Sequence, residues 1–262
     1  MPRLSVHLEA HLSDRPFPER WRASRALGFT GCEFVWRGKD LAQAQSLEQE
    51  TGLSVRCLGG TTGGVPGHGR PALTAPGDAE YLVSDVEKAI AAAQALQCPR
   101  LVMVPGDRVA GWSTAEHRAT VVASLRGVAP LLERAGVAVV LEPLNSRVDH
   151  RTCWCDTSAE AFAVVEAVGS PAVRVLYDLY HMAVMGDDLR AVIRAHHDLI
   201  GYYHIAGVPG RHEPLGGEVD FAPVLECIDE TGYADYVGLE YGPSLAPEES
   251  LRRVRAAYPD PA

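Results

Sequence analysis

Short apolar runs alternate with longer helical stretches along the whole chain. The runs are RLSVHL (3–8), GCEFVW (31–36), LSVRCL (53–58), RLVMV (100–104), VAVVLE (137–142), VRVLYD (173–178), IGYYHI (200–205) and YVGLEY (236–241). Each is rich in β-branched, aliphatic or aromatic residues and has the length of a buried strand. Between them lie segments rich in Ala, Leu, Glu and Arg with helical spacing, near 17–27, 39–51, 79–96, 114–135, 157–168, 186–197, 220–232 and 246–257. In AEYLVSDVEKAIAAAQAL (79–96), for example, Leu82, Val86, Ile90 and Ala93 fall on one helical face. About eight strand-then-helix units with no break in composition predict a parallel sheet covered by helices. That number of units in a chain of this length is the count of a closed (β/α)8 TIM barrel, α/β in class, forming a single domain over 1–262. A doubly wound open sheet is the competing arrangement, but no G-x-G-x-x-G follows the first strand. The longest loops, 59–78 and 143–156, follow the third and fifth strands. On a barrel this is the face that carries the site, so their length predicts a lid or a substrate pocket; a purely flexible Gly/Pro loop is the other reading of 59–78.

The polar residues that close the later runs change the picture from fold to chemistry. The fifth run ends in Glu142, the sixth in Asp178, the seventh in His204 and the eighth in Glu240. Each follows apolar residues, where an unpaired charge is costly to bury. One such residue alone reads as a salt-bridge partner or a core histidine. Four on consecutive strands of a barrel converge on one axis, and three carboxylates placed together call for a cation. Three oxygens and one imidazole suit Mn²⁺, Mg²⁺ or Co²⁺ better than a thiolate-type zinc site. His181, three residues past Asp178, could reach the metal edge or a substrate oxygen, or cap the following helix. Arg211 offers a fork of donors to carboxylate or hydroxyl oxygens, or pairs with Glu213 or Glu218. Asn145 is a substrate donor or a loop-fixing amide, and Trp154 is a pocket wall or a pin for its loop. His7, Glu9 and Glu33 read more readily as structural.

Composition narrows the partners. Of 262 residues, 47% are hydrophobic and 22% charged, and the formal net charge is −10 with no Lys/Arg cluster. That balance describes a soluble globular protein and argues against a nucleic-acid partner. Cys32, Cys57 and Cys98 lie in or beside apolar runs and read as small buried hydrophobes. Cys153 and Cys155 form a C-x-C without the second pair a zinc site needs. The N-terminus MPRLSVHLEA lacks the pattern of a signal peptide, and no stretch approaches the ~20 apolar residues of a membrane span. The expectation is a cytoplasmic, reduced protein that acts on a small molecule. The outer helices offer surface for a homo-oligomer, although nothing in the sequence sets an interface.

LEPLN (141–145), YDLYHM (177–182), HIAGVPGRHEPLGGEVDF (204–221) and GLEYGP (238–243) carry a family likeness. Through them the chain resembles the xylose-isomerase-like barrel superfamily of sugar isomerases and epimerases, and within it the hydroxypyruvate isomerase branch. The resemblance implies that Glu142, Asp178, His204 and Glu240 ligate the metal. It implies further that Glu142 and Glu240 double as the acid/base pair, and that His181 and Arg211 touch substrate. Two departures stand out. Hydroxypyruvate isomerases commonly carry Gln at the place of His204, where ketose 3-epimerases carry His. The epimerase pattern has a further Glu six residues past the first ligand, and here that place is Val148. The expected reaction is proton transfer through an enediolate on a small hydroxy-carbonyl compound or sugar, either isomerisation or 3-epimerisation. Two other classes fit the same fold: a metal-dependent endonuclease and a non-catalytic sugar-binding barrel.

Overall fold

The computed structural model describes residues 1–60, 73–74 and 79–260. Among them, strands β1 (Arg3–His7), β2 (Gly31–Val35), β3 (Ser54–Gly59), β4 (Arg100–Met103), β5 (Ala138–Leu141), β6 (Val173–Asp178), β7 (Ile200–Ile205) and β8 (Tyr236–Leu239) all pair in parallel with their sequence neighbours. Pairing of β1 with β8, Leu4 opposite Val237, closes the barrel. Every strand lies within the apolar run that predicts it, except β3, which runs one residue further to Gly59. The 59–78 loop falls largely outside the described residues.

Helices α1 (Phe17–Ala26), α2 (Leu41–Thr51), α3 (Ala79–Ala95), α4 (Thr114–Ala135), α5 (Ser158–Val168), α6 (Leu179–Met185), α7 (Leu189–His196), α8 (Ala222–Glu230) and α9 (Pro247–Ala257) join the strands. Several begin on the side-chain caps that the sequence carries. Ser113 and Glu116 form a reciprocal capping box at α4, and the Asp40, Thr157 and Asp188 side chains cap α2, α5 and α7. The hydrophobic spacing did not predict α6, which follows β6 with no intervening loop. Asp178 is both the last residue of β6 and the cap of α6: its Oδ1 accepts from Tyr180 N–H (2.8 Å) and His181 N–H (3.0 Å). No helix among the described residues is long and apolar enough to cross a membrane.

The main core lies between the barrel and its helices. A second, smaller cluster, Cys57, Val140, Leu176, Tyr202 and Tyr236, fills the barrel interior. Side chains alternate along a strand, so residues two positions on share the interior face. Val140 therefore leads to Glu142, Leu176 to Asp178, and Tyr202 to His204. Below this apolar layer, Asp235 gathers Arg56 and Arg100: Arg56 binds it through Nε (3.0 Å) and Nη2 (2.7 Å), and Arg100 through Nη2. The Arg100 guanidinium also lies over the Tyr202 ring, 4.8 Å from its centroid. The barrel is thus plugged by an ion cluster at its N-terminal end, capped by aromatics, and open to chemistry at the other. All six cysteines are free and buried, as the apolar surroundings of Cys32, Cys57 and Cys98 imply.

Replacing Asp235 with Ala would leave two arginines facing each other without a counter-charge. We expect Asp235→Ala to lose about 3 kcal/mol of unfolding free energy in a denaturant titration, the cost of stranding a largely buried charge. A loss below about 0.5 kcal/mol, the range of ordinary surface substitutions, would contradict this role.

Candidate active site

Four strands deliver to the C-terminal mouth four side chains that could hold a metal ion. Glu142 extends β5 by one residue, its N–H donating to Met103 O (2.9 Å). Asp178 closes β6 directly opposite His204 of β7. Glu240 follows β8, its N–H donating to Ile205 O (3.2 Å). One potential ligand atom from each of Glu142, Asp178, His204 and Glu240 lies within 4.8 Å of all the others. His204 Nδ1 stands 3.3 Å from Glu240 Oε2 and 3.6 Å from Glu142 Oε1.

Glu142, Asp178 and His204 are buried, Glu240 is partly exposed, and the cluster is incompletely satisfied. Glu142 Oε1, Asp178 Oδ2 and His204 Nδ1 are all shielded from solvent without a hydrogen-bond partner among the described residues. An orphaned buried polar atom costs on the order of 1–3 kcal/mol, and here three face one point. Protons soften the repulsion. Burial, reinforced by the Glu240 charge, pushes the Glu142 carboxyl up to about 7 against the pull of His204. Burial alone would lower His204, but the Glu33 and Glu240 carboxylates hold it well above the ordinary imidazole range. Glu240 goes the other way: despite burial, Arg211 and His204 keep it well below the usual carboxylate range. The donor set, three carboxylates and one imidazole around an unsatisfied centre, fits a hard or borderline divalent cation. No cysteine joins such a cluster among the described residues.

Around the centre lie the other residues singled out from sequence. His181 is fully buried on α6, with Nε2 unpartnered and 3.8 Å from Asp178 Oδ2. Asp178 rather than His181 caps that helix. Asn145 Nδ2 donates to His181 Nδ1 (2.6 Å) and to Asp149 Oδ2 (2.7 Å), while its Oδ1 accepts from the N–H groups of Val148 and Asp149. Asn145 is therefore a loop-fixing amide, and through it His181 carries its proton on Nε2. Burial depresses the His181 imidazole to about 4, so the ring is neutral at pH 7. Tyr180 Oη donates to Asp149 Oδ2 (2.8 Å) and extends this network to the rim.

Arg211 pairs with neither Glu213 nor Glu218. Its Nη2 donates to Glu240 Oε2 (2.6 Å) and lies 4.0 Å from Asp178 Oδ2, with the guanidinium over the Tyr180 ring. Its backbone has φ 55°, a left-handed conformation that a side-chain-bearing residue rarely adopts. Flanking bonds from Arg211 N–H to Gly207 O (3.0 Å) and from Gly242 N–H to Arg211 O (2.9 Å) hold it there. Trp154 is buried in the main core and stacks on His117 of α4, centroids 5.6 Å apart. Its loop is tied to the β4 loop by Trp154 N–H to Gly106 O (3.0 Å) and Arg108 N–H to Thr152 O (2.8 Å). Sequence reasoning undervalued Glu33, which reaches His204 Nε2 at 3.1 Å, and missed Asp149 and Tyr180. Glu33 lies inside an apolar strand run, itself a signal; Asp149 and Tyr180 stand out only once the loops are folded.

A closed parallel barrel with potential metal ligands gathered at the C-terminal ends of its strands has the layout in which barrel enzymes place their sites. Residues 21–257 match the family described as xylose isomerase-like TIM barrel, and the chain belongs to that family. It is 28% identical over 253 residues to the hydroxypyruvate isomerase of Escherichia coli, covering 96% of this chain and 98% of that one. It is also 28% identical over 252 residues to the 2-oxo-tetronate isomerase of Cupriavidus necator, covering 96% of each. A crystal structure from Brucella melitensis, titled AP endonuclease, family 2, superposes with a TM-score of 0.91 at 29% identity, covering 99% of this chain and all of that one.

The raised Glu142 pKa has a consequence for the cation-free protein. Between the ordinary carboxylate value of 4.5 and about 7, folded Glu142 keeps a proton that the unfolded chain has released. The native state binds more protons in that window, so this group makes stability fall as pH rises through it. We expect Glu142→Gln to flatten that decline in thermal midpoints measured from pH 5 to 8 with chelator present. Parallel curves for variant and wild type would contradict the assignment.

Proposed function

We propose that this protein is a divalent-cation-dependent isomerase of a short hydroxy-carbonyl compound, working by proton transfer through an enediolate. A 2-oxo acid of the hydroxypyruvate type is the substrate class. The observation that carries the reading is the cluster of Glu142, Asp178, His204 and Glu240, three of them buried, with three inward-facing atoms lacking partners among the described residues. The names of the two isomerase relatives, both referring to short 2-oxo acids, narrow the substrate. Mn²⁺ or Mg²⁺ suits the donor set, with Co²⁺ as a further candidate. When bound, the cation supplies electrophilic stabilisation to the negative charge developing on the substrate's oxygens.

The chain's own residues supply the rest. A carbon-bound proton beside a carbonyl is weakly acidic, so its removal needs a base held against that carbon. Glu142 and Glu240 reach the centre from β5 and β8, and each has two carboxylate oxygens: one for the cation and one for carbon. One glutamate takes the proton from the hydroxyl-bearing carbon, and the other returns a proton to the former carbonyl carbon. His181, neutral and with its proton on Nε2, donates to a substrate oxygen and moves a proton between oxygens. Arg211 keeps Glu240 ionised, and its unpartnered Nε remains for the substrate carboxylate. Asn145 holds His181 in register, and Trp154 backs the β5 loop. His204 is the specific feature favouring a second reading, 3-epimerisation of a free ketose, because ketose 3-epimerases carry His there. A nuclease is less well supported: endonucleases of this fold usually use more ligands and a basic face, and this chain is acidic.

Proton NMR of Mg²⁺-loaded protein in D₂O, with hydroxypyruvate and free ketoses offered separately, tests the reading. Loss of the carbon-bound proton signal of hydroxypyruvate with appearance of its aldehyde isomer is expected; exchange at C3 of a ketose would select the second reading instead. Glu142→Gln and Glu240→Gln should each lower turnover by ~10²–10⁴-fold, the usual worth of a general acid or base. Near-normal turnover in both variants would remove them from the chemistry.

A further inference from the structure

Resting on the cation reading above, we propose that Glu33 is a positioning residue for His204: its carboxylate accepts a hydrogen bond from Nε2–H and fixes the imidazole with Nδ1 facing the three carboxylates. Glu33 lies in the middle of β2 and is almost fully buried. Its single side-chain hydrogen bond among the described residues is with His204 Nε2 (3.1 Å), and Oε1 has no partner. No Arg or Lys pairs with it in the described structure. A buried carboxylate held only by an imidazole is expensive, and an apolar residue would pack the interior at lower cost. Its placement is explained by what it does to the ring.

The geometry opposite β2 supports this. Gly238 of β8 lies beside His204 in the register of β7 and β8, between the two partners. A Cβ at 238 would overlap Glu33 Oε1 and sit 2.7 Å from His204 Cδ2. The missing side chain therefore opens the passage through which Glu33 reaches the ring. Tyr202, two residues before His204, braces the ring edge-on, with centroids 5.5 Å apart at 76°. With Nε2–H donating to the Glu33 carboxylate, the Nδ1 lone pair is left for the centre. The same bond resists rotation of the ring and increases electron density at Nδ1, strengthening it as a donor.

The test is Mn²⁺ titration of wild type, Glu33→Gln and Gly238→Ala by calorimetry, with metal-free thermal midpoints measured alongside. Histidine ¹⁵N NMR of the Mg²⁺-loaded proteins would report the His204 tautomer. Glu33→Gln keeps the shape and loses the charge, and its Mn²⁺ affinity should fall ~10–100-fold, as for other residues that orient metal ligands. Gly238→Ala should weaken Mn²⁺ similarly by displacing the ring. The wild-type spectrum should show Nε2 protonated and Nδ1 unprotonated, with that state lost or mixed in Glu33→Gln. A Glu33→Gln protein that binds Mn²⁺ within twofold of wild type, with unchanged His204 signals, would overturn the proposal while leaving the cation reading intact; altered stability alone would mark Glu33 as a structural ion-pair partner. Failure of wild type itself to take up Mn²⁺ would overturn both.

Discussion

Three carboxylates and an imidazole share one buried point at the mouth of the barrel, and the remaining features of the site follow from the cost of holding them there. Like charges within 5 Å repel strongly where water is excluded. Without a cation, burial raises the Glu142 carboxyl, the neighbouring carboxylates raise His204, and the Arg211 guanidinium lies against Glu240. This compensation is incomplete, since Glu142 Oε1, Asp178 Oδ2 and His204 Nδ1 still lack partners. Stability and activity thus meet in one set of atoms: the arrangement is costly by itself and suited to a divalent charge.

The barrel makes such an arrangement affordable by separating its tasks along the axis. At the N-terminal end, Asp235 neutralises Arg56 and Arg100, and Tyr202, Tyr236, Leu176, Val140 and Cys57 fill the middle. One pleat further on, β5, β6 and β7 present Glu142, Asp178 and His204. Because the side-chain period is two, the register that buries Leu176 also aims Asp178 at the centre. Asp178 then serves two structures with its two oxygens, capping α6 with one and facing the cluster with the other. The cap fixes the carboxylate's orientation and places His181 one turn into the helix beside it.

Much of this was legible in the sequence. The strands and their polar ends could be read because a parallel strand buried on both faces is a continuous apolar run, and a charge at its end stands out. α6 was not, since LYHMAVM is short and apolar throughout and offers no helical stripe; its signals were the flanking Asp178 and Gly186. Arg211 reads in the sequence as a donor to substrate oxygens or a partner of Glu213 or Glu218, but its partner is Glu240, 29 residues away, and only closure of the barrel brings them together. The Glu33–His204 bond spans 171 residues and three strand positions, and no local pattern encodes it. In the sequence Asn145 reads as a substrate donor or a loop-fixing amide, and its bond to His181 depends on how the β5 loop folds back over α6.

The central claim is that these four side chains form one cation site. Anomalous diffraction from crystals soaked in Mn²⁺ tests it most directly. The account predicts a single strong anomalous peak within bonding distance of Glu142, Asp178, His204 Nδ1 and Glu240, with Glu33 still on Nε2. No peak there at saturating Mn²⁺, or a peak elsewhere with the four side chains still paired to one another, would contradict it.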